Sequence, residues 1–365
     1  MVEDNRVQTQ LSELTPFDRA HIPMGELTAQ HMKTLVYDML QGAYDTDQVT
    51  EMLTRLSPKA LSAEQLAGCV DGIIDSAAYT VEVDKLDKPV IVPVGTGGDS
   101  RNGHSTVNIT TMAGFVMAAS GECKVALYGN RRSSGKFGKM DLLEGVGIPI
   151  VLTEEQIRNQ LEEHGIAPVF AQTAYPGARH VSQARREIQG PTLFNIAFPI
   201  AAPVVGKDVR MLIGSAQEET LRSMADISKS RGVQRSMFVR DTHYGMDEVS
   251  LETTKFVVIG KQGIEDKLVD VGDLLGEKAS AIEDLEAEVP EEFVEVFRQV
   301  MDPSYTSSRI ESVRRVVAAN AACGLYLANE HENGFENHFV RYYAQALDLL
   351  RSGAAFRKVG ELISS

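Results

Sequence analysis

The chain has 365 residues, a length that suits one large domain together with a smaller one. Its 43% hydrophobic and 24% charged residues are ordinary for a globular protein, and no apolar run approaches the roughly 20 residues of a membrane-spanning helix. A net charge of −15 argues against a nucleic-acid binder, which needs basic surface to displace counterions.

Met1 to Glu13 is polar and has neither the basic start nor the apolar stretch of a secretory signal. Cys69, Cys123 and Cys323 are far apart and form no Cys-x-x-Cys pair, which reads as buried thiols in a reducing compartment. Together these features set the expectation of a cytoplasmic protein.

The first quarter of the chain has the pattern of a helical bundle. Leu27, Met32, Leu35, Val36, Met39 and Leu40 form a near i, i+3, i+4 stripe over Leu27 to Gly42. Ser62-Ala63-Glu64-Gln65 has the form of a capping box and is followed by the apolar stripe Leu66, Val70, Ile73, Ile74. The character changes at Lys88. Pro89 to Val94 is a short apolar run ending in glycines, the mark of a buried strand. Further strands are expected at Lys124–Tyr128, Ala167–Ala171, Thr192–Phe194, Val209–Ile213, Ser236–Val239 and Lys255–Ile259. Between them, Thr153-Glu154-Glu155-Gln156 caps a helix toward His164-Gly165, and Ser215-Ala216-Gln217-Glu218 caps one toward Ser230. Alternating strands and helices predict an α/β sheet with covered faces. Long helices return at Pro290–Met301, Ile310–Ala328 and His338–Leu350, while Glu277 to Glu292 reads as a solvated loop and helix start.

Three clusters can carry chemistry. The first is Gly95-Thr96-Gly97-Gly98-Asp99, at a strand end, followed by Asn108, Thr110 and Thr111 where a helix opens. Glycines let a backbone approach an anion closely, and the free N–H groups of a helix start attract one. The loop is neither a Walker A sequence nor a GxGxxG fingerprint, and a plain strand-to-helix turn explains it equally well. The second cluster is Gly129-Asn130-Arg131-Arg132-Ser133-Ser134-Gly135-Lys136, a basic knot in an acidic chain that suits a second phosphate contact. A solvated turn is the alternative. The third is Tyr244-Gly245-Met246-Asp247-Glu248, where adjacent carboxylates could bridge a hard divalent cation or simply stand in solvent.

In order and spacing these clusters resemble the anthranilate phosphoribosyltransferase family, whose fold is shared with the pyrimidine nucleoside phosphorylases. The resemblance runs from the helices near Leu27 to Ser352-Gly353-Ala354, through Asp141-Leu142-Leu143-Glu144 and Asn320-Ala321. It implies an α/β protein of nucleoside phosphorylase/phosphoribosyltransferase type. A small all-helical domain (16–86, with a helical insertion near 176–190) would follow a 1–15 extension and precede a larger 87–365 domain with a central, mainly parallel sheet. Substrates of the family meet between the two domains, and the helical domains pair into a homodimer.

The resemblance also implies the site. Phosphoribosyl pyrophosphate would lie along Gly95, Thr96, Gly97, Gly98 and Asp99, with Asn108, Thr110, Thr111 and Ser134 near its phosphates. Thr110, Asp247 and Glu248 would surround Mg²⁺. A small aromatic acceptor would meet Tyr128, Asn130, Tyr175, Arg185 and Phe198, with Arg185 placed to grip a carboxylate. No side chain is expected as acid or base.

The departures from the family pattern gather at the acceptor. Its usual Lys-His-Gly-Asn-Arg reads Leu127-Tyr128-Gly129-Asn130-Arg131, its His-Pro reads Tyr175-Pro176, and Phe198 stands where a glycine precedes the Pro-Leu step. The loop from Asp99 to Asn108 is longer than the family's by about three residues, an irregular segment of the kind that tolerates insertion. It offers Arg101 and His104 as substitutes for the missing lysine. These changes set the expectation that the acceptor is not anthranilate. A phosphorylase-type ribosyl transfer and a non-catalytic ligand- or nucleic-acid-binding paralogue are the alternatives. The Asp247-Glu248 pair weighs against both, and the net charge weighs against nucleic acid.

Overall fold

The computed structural model describes residues 21–96, 103–131, 137–188, 190–331 and 334–365. It divides into two compact units. One takes the chain up to Thr80 with Gln172–Pro203 and Asp226–Gly232; the other takes Val81–Ala171, Val204–Ala225 and Val233–Ser365. The 1–15 extension lies outside the described residues.

The first unit is helical. Ala29–Leu40 is capped by Thr28, whose hydroxyl accepts from the His31 N–H. Ala63–Asp75 starts at the expected box: Ser62 accepts from Gln65 N–H while the Gln65 side chain accepts from Ser62 N–H. These two helices pack closely because Gly68 and Gly72 face the first one. A methyl on either would come within 2.1 and 2.3 Å of the Ala29 and Lys33 carbonyl oxygens. Helices Thr46–Arg55 and Arg179–Ile188 pack on each other, and Leu193–Ile200 packs on Ala63–Asp75.

Thr192–Phe194 belongs to that last helix, not to a strand as expected. Thr192 is its N-cap and Asn195 returns the capping bond to the Thr192 N–H. The buried Leu193, Phe194, Ile196, Ala197 and Ile200 follow helical spacing, which the short apolar run alone did not reveal.

The second unit is built on a seven-stranded sheet. Its strands are β2 (Val90–Gly95), β3 (Lys124–Gly129), β4 (Ile166–Phe170), β6 (Val209–Gly214), β7 (Ser236–Asp241), β8 (Thr253–Gly260) and β9 (Gly263–Asp270). A separate parallel pair joins β1 (Val81–Glu82) to β5 (Val204–Val205). The large sheet has the order β4-β3-β2-β6-β7-β8-β9. Its first five strands are parallel, and β8 and β9 close it as an antiparallel hairpin. This is the mainly parallel α/β sheet that the alternation of elements predicts.

Helices Ile109–Ala119, Ser308–Ala328 and Phe335–Arg351 supply much of the surrounding core. Thr153 caps Glu154–Glu163 with the expected reciprocal bonds to Gln156. Ser215 departs from expectation: its hydroxyl accepts from the Gln217 N–H and meets the Thr220 hydroxyl, and the helix begins only at Glu218. The acidic stretch is likewise no free loop. Glu286 bridges to Thr106, and the backbone of Leu285 and Ala287 bonds to Val107 and Ser105. Among the described residues no helix is long and apolar enough to cross a membrane.

Candidate active site

The chain leaves β2, crosses to β3 and then to β4 on one side, and returns to β6 on the other. The strand order therefore reverses between β2 and β6, and in open α/β sheets ligands bind at the carboxyl ends of strands at such a switch point. The residues there are Gly95 and Gly214, partners in register, with the Thr96 N–H donating to the Gly214 carbonyl at 3.1 Å. Both must be glycine for the same neighbour. A Cβ on Gly95 would lie 2.7 Å from Asp247 Oδ2, and one on Gly214 would lie 1.5 Å from the Asp247 carbonyl oxygen.

Asp247 and Glu248 stand on the loop that follows β7, and both are buried. The loop is tied at its root by Asp241, wholly buried at the end of β7. Its carboxylate accepts from the N–H groups of His243, Tyr244 and Gly245 and from the Ser250 hydroxyl. Gly245, at φ 73°, makes the reversal that a side chain would resist. At the far end Asn320, on the Ser308–Ala328 helix, clamps Val249. Its amide accepts from the Val249 N–H at 3.0 Å and donates to the Val249 carbonyl at 2.7 Å. The carboxylate pair is thus fixed from both sides by buried polar groups.

The Ile109–Ala119 helix begins beside this pair. Thr110 Oγ1 donates to Glu248 Oε1 at 3.4 Å, Thr111 is buried, and Asn108 precedes the first turn. Asn108 Oδ1 is buried with no hydrogen-bond partner among the described residues, and it caps no N–H of its own helix. A small cavity at the same point is lined by Pro93, Thr110, Gly214, Asp247 and Asn320, among others. Gly97, Gly98, Asp99 and Arg101 lie outside the described residues, as does Ser134. His104 is engaged elsewhere: its ring meets Glu286 at 2.9 Å.

Next to β2, β3 ends in Tyr128-Gly129. Tyr128 is buried and Asn130 is exposed, its side chain accepting from the Arg131 N–H. Arg131 pairs with Glu144 at 2.9 Å and lies over the Phe170 ring. Leu127 is fully buried, with its Cδ2 2.5 Å from where a Cβ of Gly114 would stand. It packs on the Ile109–Ala119 helix. One cation escaped the sequence reading: Lys139, in the first turn of Lys139–Gly145, donates to the Pro93 carbonyl at 2.6 Å and the Tyr128 carbonyl at 3.0 Å. Burial pulls its ammonium down to about 7, against the opposing pull of Glu248 and Asp247.

The remaining acceptor candidates lie in the helical unit and meet there through a ring that sequence reading passed over, Phe194. Phe198 stacks on Phe194 at 5.2 Å and meets Tyr175 edge-on at 5.8 Å. The Arg185 guanidinium lies over Phe194 at 5.8 Å. Tyr175 is buried and its hydroxyl donates to the Ala201 carbonyl at 2.6 Å.

The glycosyl transferase family a/b-domain model matches residues 87–356. The anthranilate phosphoribosyltransferase of Shewanella loihica is 32% identical over 359 residues, 97% of each chain. The chain belongs to the anthranilate phosphoribosyltransferase family. The enzyme of that name from Nitrosopumilus maritimus is 31% identical, covering 91% of this chain and 90% of its own. The crystal structure of the Thermus thermophilus enzyme superposes with a TM-score of 0.82 at 26% identity, over 96% of this chain and 99% of that one. The Saccharomyces cerevisiae enzyme in complex with PRPP and Mg, at 19% identity over 98% and 97%, has the same fold with a TM-score of 0.80. By family the chain is a phosphoribosyltransferase, and its fold is the family's.

Proposed function

We propose that this chain transfers 5-phosphoribosyl from phosphoribosyl pyrophosphate to the nitrogen of a small aromatic acceptor other than anthranilate, using Mg²⁺. One observation carries the donor half. Asp247 and Glu248, both buried, are held beside Gly95 at the β2–β6 switch, with Thr110 bonded to Glu248. Such a carboxylate pair suits Mg²⁺, which keeps several waters and takes one or two carboxylates plus substrate phosphate oxygens. Bound by this pair, the ion would neutralise charge on the departing pyrophosphate.

The chain's own residues supply the rest. Asn108 and the start of the Ile109–Ala119 helix would meet phosphate oxygens, the helix dipole favouring an anion. Gly95 and Gly214 let the Asp247 loop seat against the strand ends without a Cβ in the way. At C1 of the ribose the bond to nitrogen forms as the bond to the pyrophosphate oxygen breaks. The pyrophosphate leaves as an anion and the acceptor nitrogen gives up a proton. An aromatic amine is nucleophilic already, so positioning replaces a dedicated base.

The Tyr175–Phe198–Phe194 ring cluster supports an altered acceptor. Phe198 fills volume with a ring, while Arg185 against Phe194 suits bidentate contact with a carboxylate. With this reading go a homodimer paired through the helical unit, checked by sedimentation, and a cytoplasmic site of action.

Titration with phosphoribosyl pyrophosphate tests the donor: binding should require Mg²⁺ and be lost in Asp247→Ala and Glu248→Ala. Binding of inorganic phosphate and a nucleoside in its place would point to a phosphorylase instead. A panel of aromatic amines tests the acceptor by pyrophosphate release. Turnover of anthranilate at an ordinary rate would sink the altered-acceptor reading.

A further inference from the structure

We propose that Lys139, at the first turn of the Lys139–Gly145 helix, is the donor-site cation of this enzyme, standing in for the lysine that the family resemblance leads one to expect at position 127 of β3. The inference rests on the donor reading above and adds to it the group that meets the donor's phosphate.

Position 127 is closed to a charge. Leu127 is fully buried and its side chain lies in the groove that Gly114 leaves on the Ile109–Ala119 helix. Position 127 is therefore part of the core. His104 does not make good the loss, because its ring is held by Glu286.

Lys139 reaches the switch point by another route. Its stem runs over Gly129, where a Cβ would lie 3.0 Å from Lys139 Cδ, so the glycine after Tyr128 leaves its path open. The ammonium then rests on the carbonyls of Pro93 and Tyr128, near the carboxyl ends of the neighbouring strands β2 and β3. Pro93 is two residues before Gly95, at the edge where the phosphate cradle begins. Two of the three ammonium N–H groups are spent on backbone. No partner among the described residues takes the third.

A plain structural staple between β2 and β3 is the competing role. It predicts that any side chain able to donate to both carbonyls would serve. A phosphate contact requires the positive charge as well. Lys139→Gln keeps N–H donors without charge, Lys139→Met removes both, and Lys139→Arg keeps charge with altered geometry.

Calorimetric titration with inorganic pyrophosphate, and separately with phosphoribosyl pyrophosphate, both in Mg²⁺, distinguishes the roles. Loss of a charge-assisted bond should weaken both ligands by about tenfold or more in the Gln and Met variants. The Arg variant should recover most of the affinity, and the acceptor KM should stay near that of the wild type. If Met compromises folding, the Gln variant alone decides, with its melting temperature as the control. Pyrophosphate affinity within about twofold of wild type in a folded Lys139→Gln protein overturns the proposal. Lys139-dependent pyrophosphate binding without phosphoribosyl pyrophosphate binding upholds the cation and overturns the donor reading. A wild-type protein that binds neither overturns both.

Discussion

Gly95 and Gly214 look like ordinary strand ends in the sequence, yet both are dictated by one residue 33 or more positions away, Asp247. The two differ in what a methyl would strike. At Gly95 it meets a carboxylate oxygen, which a side-chain rotation can move; at Gly214 it meets a backbone carbonyl at 1.5 Å, which cannot yield without the loop. Gly214→Ala should therefore cost stability, by about 1–3 kcal/mol or more as overpacked sites do, measured by urea unfolding. Gly95→Ala should be milder in unfolding and act mainly on Mg²⁺-dependent donor binding, because the shifted group is the carboxylate proposed to hold Mg²⁺. Equal losses of stability in the two variants would contradict this division. The Asp247-Glu248 pair was legible in the sequence only through its company, and Lys139 was not legible at all. A lysine at a helix start after a glycine-rich strand end carries no mark in the sequence of the two carbonyls on which it rests.

The loop from Asp241 to Ser250 shows how an element can be rigid without regular structure. Asp241 satisfies three backbone N–H groups at one end, and Asn320 satisfies both polar groups of Val249 at the other. Asn320→Leu keeps the volume but leaves the Val249 N–H and carbonyl buried and unpaired. The expected cost is about 2 kcal/mol or more in unfolding free energy, and donor affinity should fall with it because Glu248 adjoins Val249. Normal donor affinity in a folded Asn320→Leu protein would show that the clamp does not position the pair. Neither clamp announces itself in sequence, since both join segments far apart in the chain. Elements with strong local signals were legible: the Ser62 and Thr153 boxes, the parallel strands β2, β3, β4, β6 and β7, and the long C-terminal helices. Strand β9 was missed because as an edge strand it carries the consecutive charges Glu265, Asp266 and Lys267 at its middle and offers no long apolar run. The last helix, Ala354–Ile363, was missed because Gly353, at φ 73°, reads as the end of one helix when it also starts the next.

At the scale of the whole molecule, a net charge of −15 stands against a polyanionic donor. Two described cations near the strand ends do little to change the far field: Arg131 is paired with Glu144, and burial pulls the Lys139 ammonium down to about 7. Attraction must then be local and short-ranged, supplied by Mg²⁺ and by N–H groups, while the field at longer range repels the ligand. Salt screens the long-range part first, since the Debye length falls from about 20 Å to about 8 Å between roughly 20 and 150 mM. A protein that steers its ligand by opposite charge loses association rate on such a change. This one should do the reverse: at fixed free Mg²⁺, stopped-flow association of phosphoribosyl pyrophosphate should stay level or rise by up to a few-fold. A steep fall would mean that cations around the cradle outweigh the chain's overall charge even at a distance. Removing Mg²⁺ should have the larger effect at either salt concentration, because it leaves two buried carboxylates facing the anion.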